Sequence, residues 1–140
     1  MPDKTKLIRA LAEDYTAAWC SQNAASVASF YEETSSLSVN DDPPAIGRAA
    51  ITEVAQGFMT AFPDMKVSLD DVRVENEGVV YHWTLTGTNN GPSGTGRTVC
   101  ISGYEEWQIG PSGLIASSRG HFDSNDYRRQ LESQRSRQYE

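Results

Sequence analysis

The first half of the chain repeats apolar residues every three or four positions, the spacing that places them on one face of a helix. Three such stripes predict three helices. Asp3 and Asn23 are suited to cap the first two, and the Phe62-Pro63 step ends the third. The apolar residues of the three stripes are Ile8, Leu11, Ala12, Tyr15, Ala18 and Trp19; Val27, Phe30 and Tyr31; and Ile51, Val54, Ala55, Phe58, Met59 and Phe62.

Alternation with a period of two predicts strands in the rest of the chain. A short strand is expected at 34–40, where Leu37 and Val39 alternate with serines before the Asp42-Pro43-Pro44 segment ends it. Turn-forming residues at 76–78 and 110–113, and a longer loop at 89–96, separate four longer strands. These are expected at Lys66–Glu75, Val79–Thr88, Thr98–Ile109 and Leu114–Asp123.

Helices followed by antiparallel strands are typical of an α+β domain in which the helices pack on one face of a curved sheet. A length of 140 residues fits one domain, which we expect to span 1–132. The tail from Asp126 is expected to form a helical turn. The Ser/Gln/Arg-rich segment 133–140 is then predicted to be a disordered polar tail.

Composition narrows the class of protein. A formal net charge of −7 argues against binding to nucleic acid or to an anionic membrane surface, because both require a basic face. With 38% hydrophobic residues and no apolar run long enough to cross a bilayer, the chain is expected to be a soluble globular protein. The N-terminal region lacks the pattern of a signal peptide, so a cytoplasmic location is the expectation.

No motif indicates a metal or a cofactor. The two cysteines, Cys20 and Cys100, and the two histidines, His82 and His121, do not follow a metal-ligand spacing. We expect both cysteines to be reduced and to serve as packing residues. The GPSGTG segment at 91–96 lacks the lysine and the following helix of a phosphate-binding loop, so it is interpreted as a turn.

Four local motifs carry a resemblance to a known family. They are Gly47-Arg48, the segment 61–64 (AFPD), the segment 83–88 (WTLTGT), and Asp123 followed seven residues later by Gln130-Leu131. Over about residues 5–132, this pattern resembles the SnoaL-like polyketide cyclase branch of the NTF2-like superfamily. The resemblance implies a cone of three N-terminal helices on a curved, mainly antiparallel sheet, a cavity between helices and sheet, and a homodimer.

Asp123 is the first candidate catalytic residue, and by resemblance it matches the acid/base aspartate of the cyclases. Because side chains alternate along a strand, Arg119, His121 and Asp123 are expected to share one face. If that face lines the cavity, the apolar surroundings would raise the pKa of Asp123, and His121 would be its proton partner. A surface carboxylate or a helix cap is the alternative role for Asp123.

Tyr15, Asp42 and Glu105 form a second possible constellation. They fall roughly where ketosteroid isomerases, which share the fold that the resemblance implies, carry a tyrosine, a general base and a protonated carboxyl. Glu105 lies on the same side of its strand as Ile101 and Trp107. If that side is buried, Glu105 is a costly inward carboxyl, which would favour function.

The aromatic residues suit either a core or the wall of a cavity for a small lipophilic molecule. The candidate pocket residues are Tyr15, Trp19, Phe30, Asp42, Phe58, Trp83, Trp107 and Arg119. Three functions therefore stay open: a cyclase-type acid/base enzyme, an isomerase, and a binding or interaction domain without catalysis. Asn89 and Asn90, at positions where family members commonly carry a histidine, favour the last of these.

Overall fold

The computed structural model describes residues 4–75, 78–92 and 94–137. Within them the chain forms four helices and six strands. The helices are α1 (Lys4–Cys20), α2 (Ala24–Ala28), α3 (Arg48–Ala61) and α4 (Ser124–Arg137). The strands are β1 (Tyr31–Val39), β2 (Ala45–Ile46), β3 (Lys66–Glu75), β4 (Gly78–Thr88), β5 (Thr98–Ile109) and β6 (Ile115–Phe122).

The six strands form one sheet in the order β2-β1-β6-β5-β4-β3. All neighbours are antiparallel except β1 and β6, which run parallel. The buried apolar residues of α1, α2 and α3 form one cluster with the inward residues of the strands. The predicted α+β architecture, with helices on a curved and mainly antiparallel sheet, is confirmed.

The long strands follow the period-two pattern closely. The predicted bounds of β3 and β5 are the observed ones, β4 begins one residue earlier than predicted, and β6 is one residue shorter than predicted at each end. On β5 the inward side chains include Ile101, Glu105 and Trp107, whereas Tyr104 faces the opposite, outer face. The side of the strand that carries Glu105 is therefore the buried one.

Two predictions about the first half are wrong in detail. Tyr31, assigned to the second helix, is the first residue of β1, where it pairs with Ile115 of β6. The short helix ends at Ala28 because the backbone then enters the sheet, with the Ile115 N–H donating to the Phe30 carbonyl at 2.8 Å. Asn23 stands at the N-cap of α2, but its side chain makes no capping hydrogen bond.

The C-terminal helix is longer than the predicted turn. α4 begins directly after Asp123, whose Oδ1 accepts the backbone N–H groups of Asn125 and Asp126 at 3.0 Å each. This N-cap begins a helix that runs to Arg137, whereas the disordered tail expected at 133–140 stays a prediction. Positions 138–140, the predicted cap Asp3, and Asn76 and Glu77 of the predicted turn lie outside the described residues.

The motifs that carry the family resemblance join elements of the fold. The backbone N–H of Thr88, at the end of β4, donates to Asp64 Oδ1 at 2.7 Å. The side chain of Arg48 donates from Nε to the Tyr31 carbonyl at 2.8 Å, which fixes the start of α3 against β1. Gly47, just before it, has φ +87°, a conformation that favours glycine.

Neither cysteine forms a disulfide, and both are exposed, so the expected packing role is wrong. Cys20, at the end of α1, instead exchanges hydrogen bonds of 3.3 Å with the backbone of Val67 on β3. None of the described helices has the length and the apolar composition needed to cross a membrane.

Candidate functional site

An apolar cavity lies between the helices and the inner face of the sheet. Its volume is about 60 Å³, room for a few water molecules or a handful of ligand atoms. A ring-sized ligand would require the lining side chains to move apart. Glu105 is the one carboxyl among the lining residues, which are Trp19, Leu37, Val39, Val54, Phe58, Val67, Tyr81, Trp83, Leu85, Ile101, Glu105, Gly120 and Phe122.

Glu105 is 8% exposed and is held by hydrogen bonds from three sides. Its Oε1 accepts the hydroxyl of Ser118 at 2.8 Å, the indole N–H of Trp107 at 2.9 Å and the phenol hydroxyl of Tyr15 at 3.0 Å. The donors come from β6, from β5 itself and from α1. The carboxyl is therefore fixed in position before any ligand arrives.

A second layer of hydroxyls lies behind Tyr15. The hydroxyls of Tyr15 and Tyr31 are 2.8 Å apart, and because the single proton of Tyr15 points to Glu105, Tyr31 is the donor of that bond. Burial raises the pKa of both phenols well above the ordinary value, and the Glu105 charge raises it further. Both tyrosines therefore remain protonated donors across the accessible pH range.

Burial also raises the pKa of Glu105, because an ionised carboxylate loses its hydration there. The hydrogen bonds from Trp107, Ser118 and Tyr15 offset part of this effect. All three donors go to Oε1, and no hydrogen bond joins Oε2 to a described residue. In the neutral form, Oε1 would serve as the carbonyl oxygen and Oε2 would carry the proton.

Small residues on β6 make room for this carboxyl. The inward side chains next to Glu105 are Ser118 and Gly120, and a Cβ added at Gly120 would lie 3.7 Å from Glu105 Cγ. This distance is ordinary van der Waals contact, so the space beside the glutamate holds a methyl group at Gly120 and no bulky side chain. β6 therefore contributes space and one hydroxyl to the site.

Only some of the predicted pocket residues lie at the cavity. Trp19, Phe58 and Trp83 line the cavity. Tyr15 and Trp107 are buried behind it, where they hold Glu105.

The other predicted pocket residues lie elsewhere. Phe30 packs against the ring of Tyr15 at a centroid distance of 5.9 Å without lining the cavity. Asp42 is exposed in the turn after β1, so the three-residue isomerase constellation is not assembled: Tyr15 and Glu105 meet, but Asp42 does not join them.

Arg119, His121 and Asp123 lie outside the cavity, so their expected cavity-facing orientation is wrong. Arg119 and His121 point to the outer face of the sheet, where both contact Glu106 Oε1, at 3.6 and 2.8 Å. Asp123 is exposed at the N-cap of α4 and shares an open polar groove with His121. Register explains the error, because Ser118, Gly120 and Phe122 occupy the inward positions of β6.

Asn89 has a structural role in the loop after β4. Its side-chain amide donates to the Ala61 carbonyl at 3.1 Å, and its carbonyl oxygen accepts the Thr95 N–H at 2.7 Å. The loop is thereby tied to the end of α3, and Asn89 does not line the cavity.

Sequence reasoning missed two members of the polar network, Tyr31 and Ser118. Tyr31 was assigned to a helix, and Ser118 belongs to a serine-rich strand whose pattern does not distinguish one serine from another. One signal for Ser118 was available in the sequence. A polar residue on the inward side of a strand can lie beside an inward Glu and form a hydrogen bond with it.

The fold and the site define an NTF2-like α+β protein in which Glu105 is the one described carboxyl that is buried at an apolar cavity. The family model for SnoaL-like polyketide cyclases matches residues 9–131. The chain belongs to the SnoaL-like polyketide cyclase family. No curated protein matches it by sequence.

Solved structures similar to this chain share its fold at low sequence identity. A protein assigned as a SnoaL-like polyketide cyclase from Jannaschia sp. CCS1 is 16% identical, with a TM-score of 0.78 over 94% of each chain. SalBIII, described as an epoxide hydrolase/cyclase-like enzyme in pyran ring formation of salinomycin, is 18% identical, with a TM-score of 0.75 over 90% of this chain and 97% of its own.

A third similar structure is a hypothetical protein from Catenulispora acidiphila with a ketosteroid isomerase-like fold, in complex with trimethylamine. It is 11% identical to this chain, with a TM-score of 0.75 over 86% of this chain and 91% of its own. At these identities, the three likenesses establish the fold.

Proposed function

We propose that the protein binds a small, largely apolar carbonyl compound in this cavity and that Glu105, in its neutral form, donates a hydrogen bond from Oε2 to the carbonyl oxygen. One observation carries the proposal. Glu105 lines an apolar cavity, three donors converge on its Oε1, and Oε2 has no described partner. A buried acid arranged in this way is a hydrogen-bond donor in need of an acceptor.

The chemistry that fits this arrangement is acid-assisted activation of a carbonyl group. A hydrogen bond from the neutral carboxyl draws electron density from the carbonyl carbon and makes the adjacent C–H bonds more acidic. Enolisation of this kind is a step of aldol-type cyclisation and of double-bond isomerisation next to a carbonyl group. Membership of the SnoaL-like polyketide cyclase family supports a reaction at a carbonyl compound.

A non-catalytic binding protein is the second candidate. The described lining residues include no second carboxyl and no histidine to take the proton from carbon. Water admitted with the ligand would have to serve as the base. The two functions share the Glu105 hydrogen bond and differ only in whether proton exchange at carbon is accelerated.

Cyclohexanone in deuterated buffer separates the two functions. Its affinity compared with that of cyclohexane reports the Glu105 hydrogen bond, and the loss of its α-proton NMR signal reports enolisation. We expect the protein to bind the ketone about fivefold more tightly than the hydrocarbon and to accelerate the exchange. Glu105→Gln should keep the ketone preference, since its amide N–H can donate, and should lose the acceleration.

The controls define the failure of each part. Glu105→Leu should remove the ketone preference, and Tyr104→Phe, on the outer face, should change neither readout. A ketone preference with exchange no faster than in buffer would select the binding protein. Equal affinity for ketone and hydrocarbon in the wild-type protein would reject the proposal as a whole.

A further inference from the structure

Phe122 lies at the boundary between the apolar cavity and a second, larger space. It lines the cavity together with Glu105, and it also lines the open polar groove at the end of β6. Among the described residues it is the only one that lines both. The cavity holds about 60 Å³ and the groove about 560 Å³, so a molecule that is too long for the cavity has room in the groove.

Two aromatic rings hold the ring of Phe122 in its present position. Trp83 of β4 meets it at a centroid distance of 6.1 Å and Tyr127 of α4 at 5.6 Å, both edge to face. Phe122 and Tyr127 are both partly exposed. The ring of Phe122 is therefore held by edge contacts near the surface and is not enclosed in the core.

The backbone of Phe122 is fixed independently of its ring. Its N–H donates to Asn40 Oδ1 at 2.9 Å, and the residue pairs with Gly103 of β5. Gly103 also lines the groove and has no side chain that could replace the ring as a barrier. Rotation of the Phe122 side chain, a fast motion for a partly exposed residue, would therefore join the cavity to the groove.

Glu105 lies close enough to Phe122 for one ligand to reach both spaces. Glu105 pairs with Gly120 on β6, and Phe122 is two residues further along that strand. Two residues of a strand span roughly 7 Å. A chain of a few carbon atoms covers this distance, so a carbonyl group at Glu105 leaves the other end of such a chain beyond Phe122.

The part of the groove next to Phe122 is rich in hydrogen-bond acceptors. Asp41 and Asp123 line it, and both are exposed. The Oδ1 atom of Asp123 caps α4, which leaves Oδ2 directed to other partners. Carboxylates only accept hydrogen bonds when they are ionised, so the ligand group that suits this part of the groove is a donor such as a hydroxyl.

We infer that Phe122 is a gate and a specificity-determining residue: when its ring turns aside, the site accepts carbonyl compounds whose chain runs past it and ends in a hydrogen-bond donor in the groove. The inference rests on the proposed function, because Glu105 binds the carbonyl end. With the ring in place, the cavity admits only molecules of a few atoms. The contacts of the ring with Trp83 and Tyr127 thus oppose the binding of longer ligands.

Acetone and 6-hydroxyhexan-2-one test the inference by NMR in the ¹⁵N-labelled full chain. Acetone is small enough for the closed cavity, whereas the hydroxy ketone is long enough to pass Phe122. Both should shift the backbone amide of Glu105. Only the hydroxy ketone should shift the amides of Asp41 and Ser124, which line the groove, and an excess of acetone should reverse these groove shifts.

Phe122→Leu replaces the ring with a smaller side chain and removes its aromatic contacts. The affinity for the hydroxy ketone relative to acetone should rise about tenfold, because the longer ligand no longer displaces the ring from Trp83 and Tyr127. Phe30→Leu makes the same substitution at a phenylalanine that does not line the cavity and should leave this ratio unchanged. If Phe122→Leu is unstable, the amide shifts of the wild-type protein decide.

The failures of the two proposals are distinguishable. If both ketones bind beside Glu105 but the hydroxy ketone leaves the groove amides unmoved, or Phe122→Leu leaves the affinity ratio unchanged, the gate is overturned and the proposed function stands. If neither ketone binds beside Glu105, both are overturned. Groove shifts of undiminished size in Glu105→Leu would show binding to the groove alone and would also overturn the gate.

Discussion

The hydroxyl of Tyr15, on the first helix, donates a hydrogen bond of 3.0 Å to Oε1 of Glu105, which follows it by 90 residues. The bond joins α1 to the middle of the sheet across the inner face. Its carboxyl partner borders the cavity, and its phenol is fully buried. This pair couples the stability of the fold to the protonation of the site.

The first prediction concerns pH. The pKa of Glu105 is raised in the folded protein, so between the ordinary value of 4.5 and the raised value the folded state holds a proton that the unfolded state has lost. The free energy of unfolding should therefore fall as pH rises through this window, by about 1.4 kcal/mol for each unit of pKa shift.

Glu105→Gln provides the reference for that measurement, because glutamine accepts the same three hydrogen bonds and does not titrate. Denaturant unfolding at a series of pH values should show the wild type losing stability relative to the variant above pH 4.5. A difference between the two proteins that stays constant with pH would contradict a raised pKa.

Asp123 should contribute to stability through the α4 N-cap. Asp123→Ala removes the acceptor of two backbone N–H groups and should lower the free energy of unfolding by about 1 kcal/mol. Asp123→Asn keeps a good cap and should change stability by only a few tenths of that amount.

The catalytic role first expected for Asp123 stays a prediction that no contact in the cavity supports. Neither Asp123→Ala nor Asp123→Asn should slow proton exchange of bound cyclohexanone, because Asp123 does not line the cavity. Loss of exchange in Asp123→Asn with stability intact would restore that role.

Gln130 should hold α4 against the sheet. Its amide accepts the Cys100 N–H at 2.6 Å and donates to the Cys100 carbonyl at 2.9 Å. These two bonds satisfy the backbone of β5 at a point beyond the end of its pairing with β6. Gln130→Ala should cost about 1–2 kcal/mol and speed hydrogen exchange of the Cys100 amide. Arg128→Ala, exposed on the same helix, should do neither; equal exchange rates in both variants would rule out the clamp.

We expect a homodimer formed through the outer face of the sheet. There Tyr104 is 37% exposed and stacks on His121, with ring centroids 4.7 Å apart. Light scattering should give twice the chain mass of 15.4 kDa. Tyr104→Lys should shift the protein toward monomer, and Leu7→Lys, at an exposed apolar residue on α1, should not. A wild-type monomer would reject the interface.

Strand parity was enough to place Glu105 on the same side of β5 as Ile101 and Trp107, but only the structure shows that this side is the buried one. Strand parity failed for β6, where one inward residue, Ser118, is small and polar and the other, Gly120, has no side chain. Arg119 and His121, which the sequence suggested as part of a functional face of β6, point outward. Hydrophobic alternation does not show which side of β6 is buried, because the carboxyl of Glu105 fills the space beside its small inward residues.

Long-range contacts explain the other gaps. The spacing of Val27, Phe30 and Tyr31 fits a helix as well as a strand entry, and only pairing with Ile115 of β6 decides between them. The hydrogen bond between Asp64 and the Thr88 N–H likewise connects the 61–64 and 83–88 motifs, a structural role that neither motif reveals alone. Local pattern predicted the elements, whereas the hydrogen-bond network of the site depends on their docking.

The protonation state of Glu105 is the central claim, and ¹³C NMR of its side-chain carboxyl carbon measures it directly. The signal is identified by its absence in Glu105→Gln. A pH titration should show a protonated carboxyl persisting above pH 4.5, the ordinary value for glutamate. A titration midpoint at or below that value would mean that Glu105 is ionised in the cavity and would contradict the donor role from which the proposed function follows.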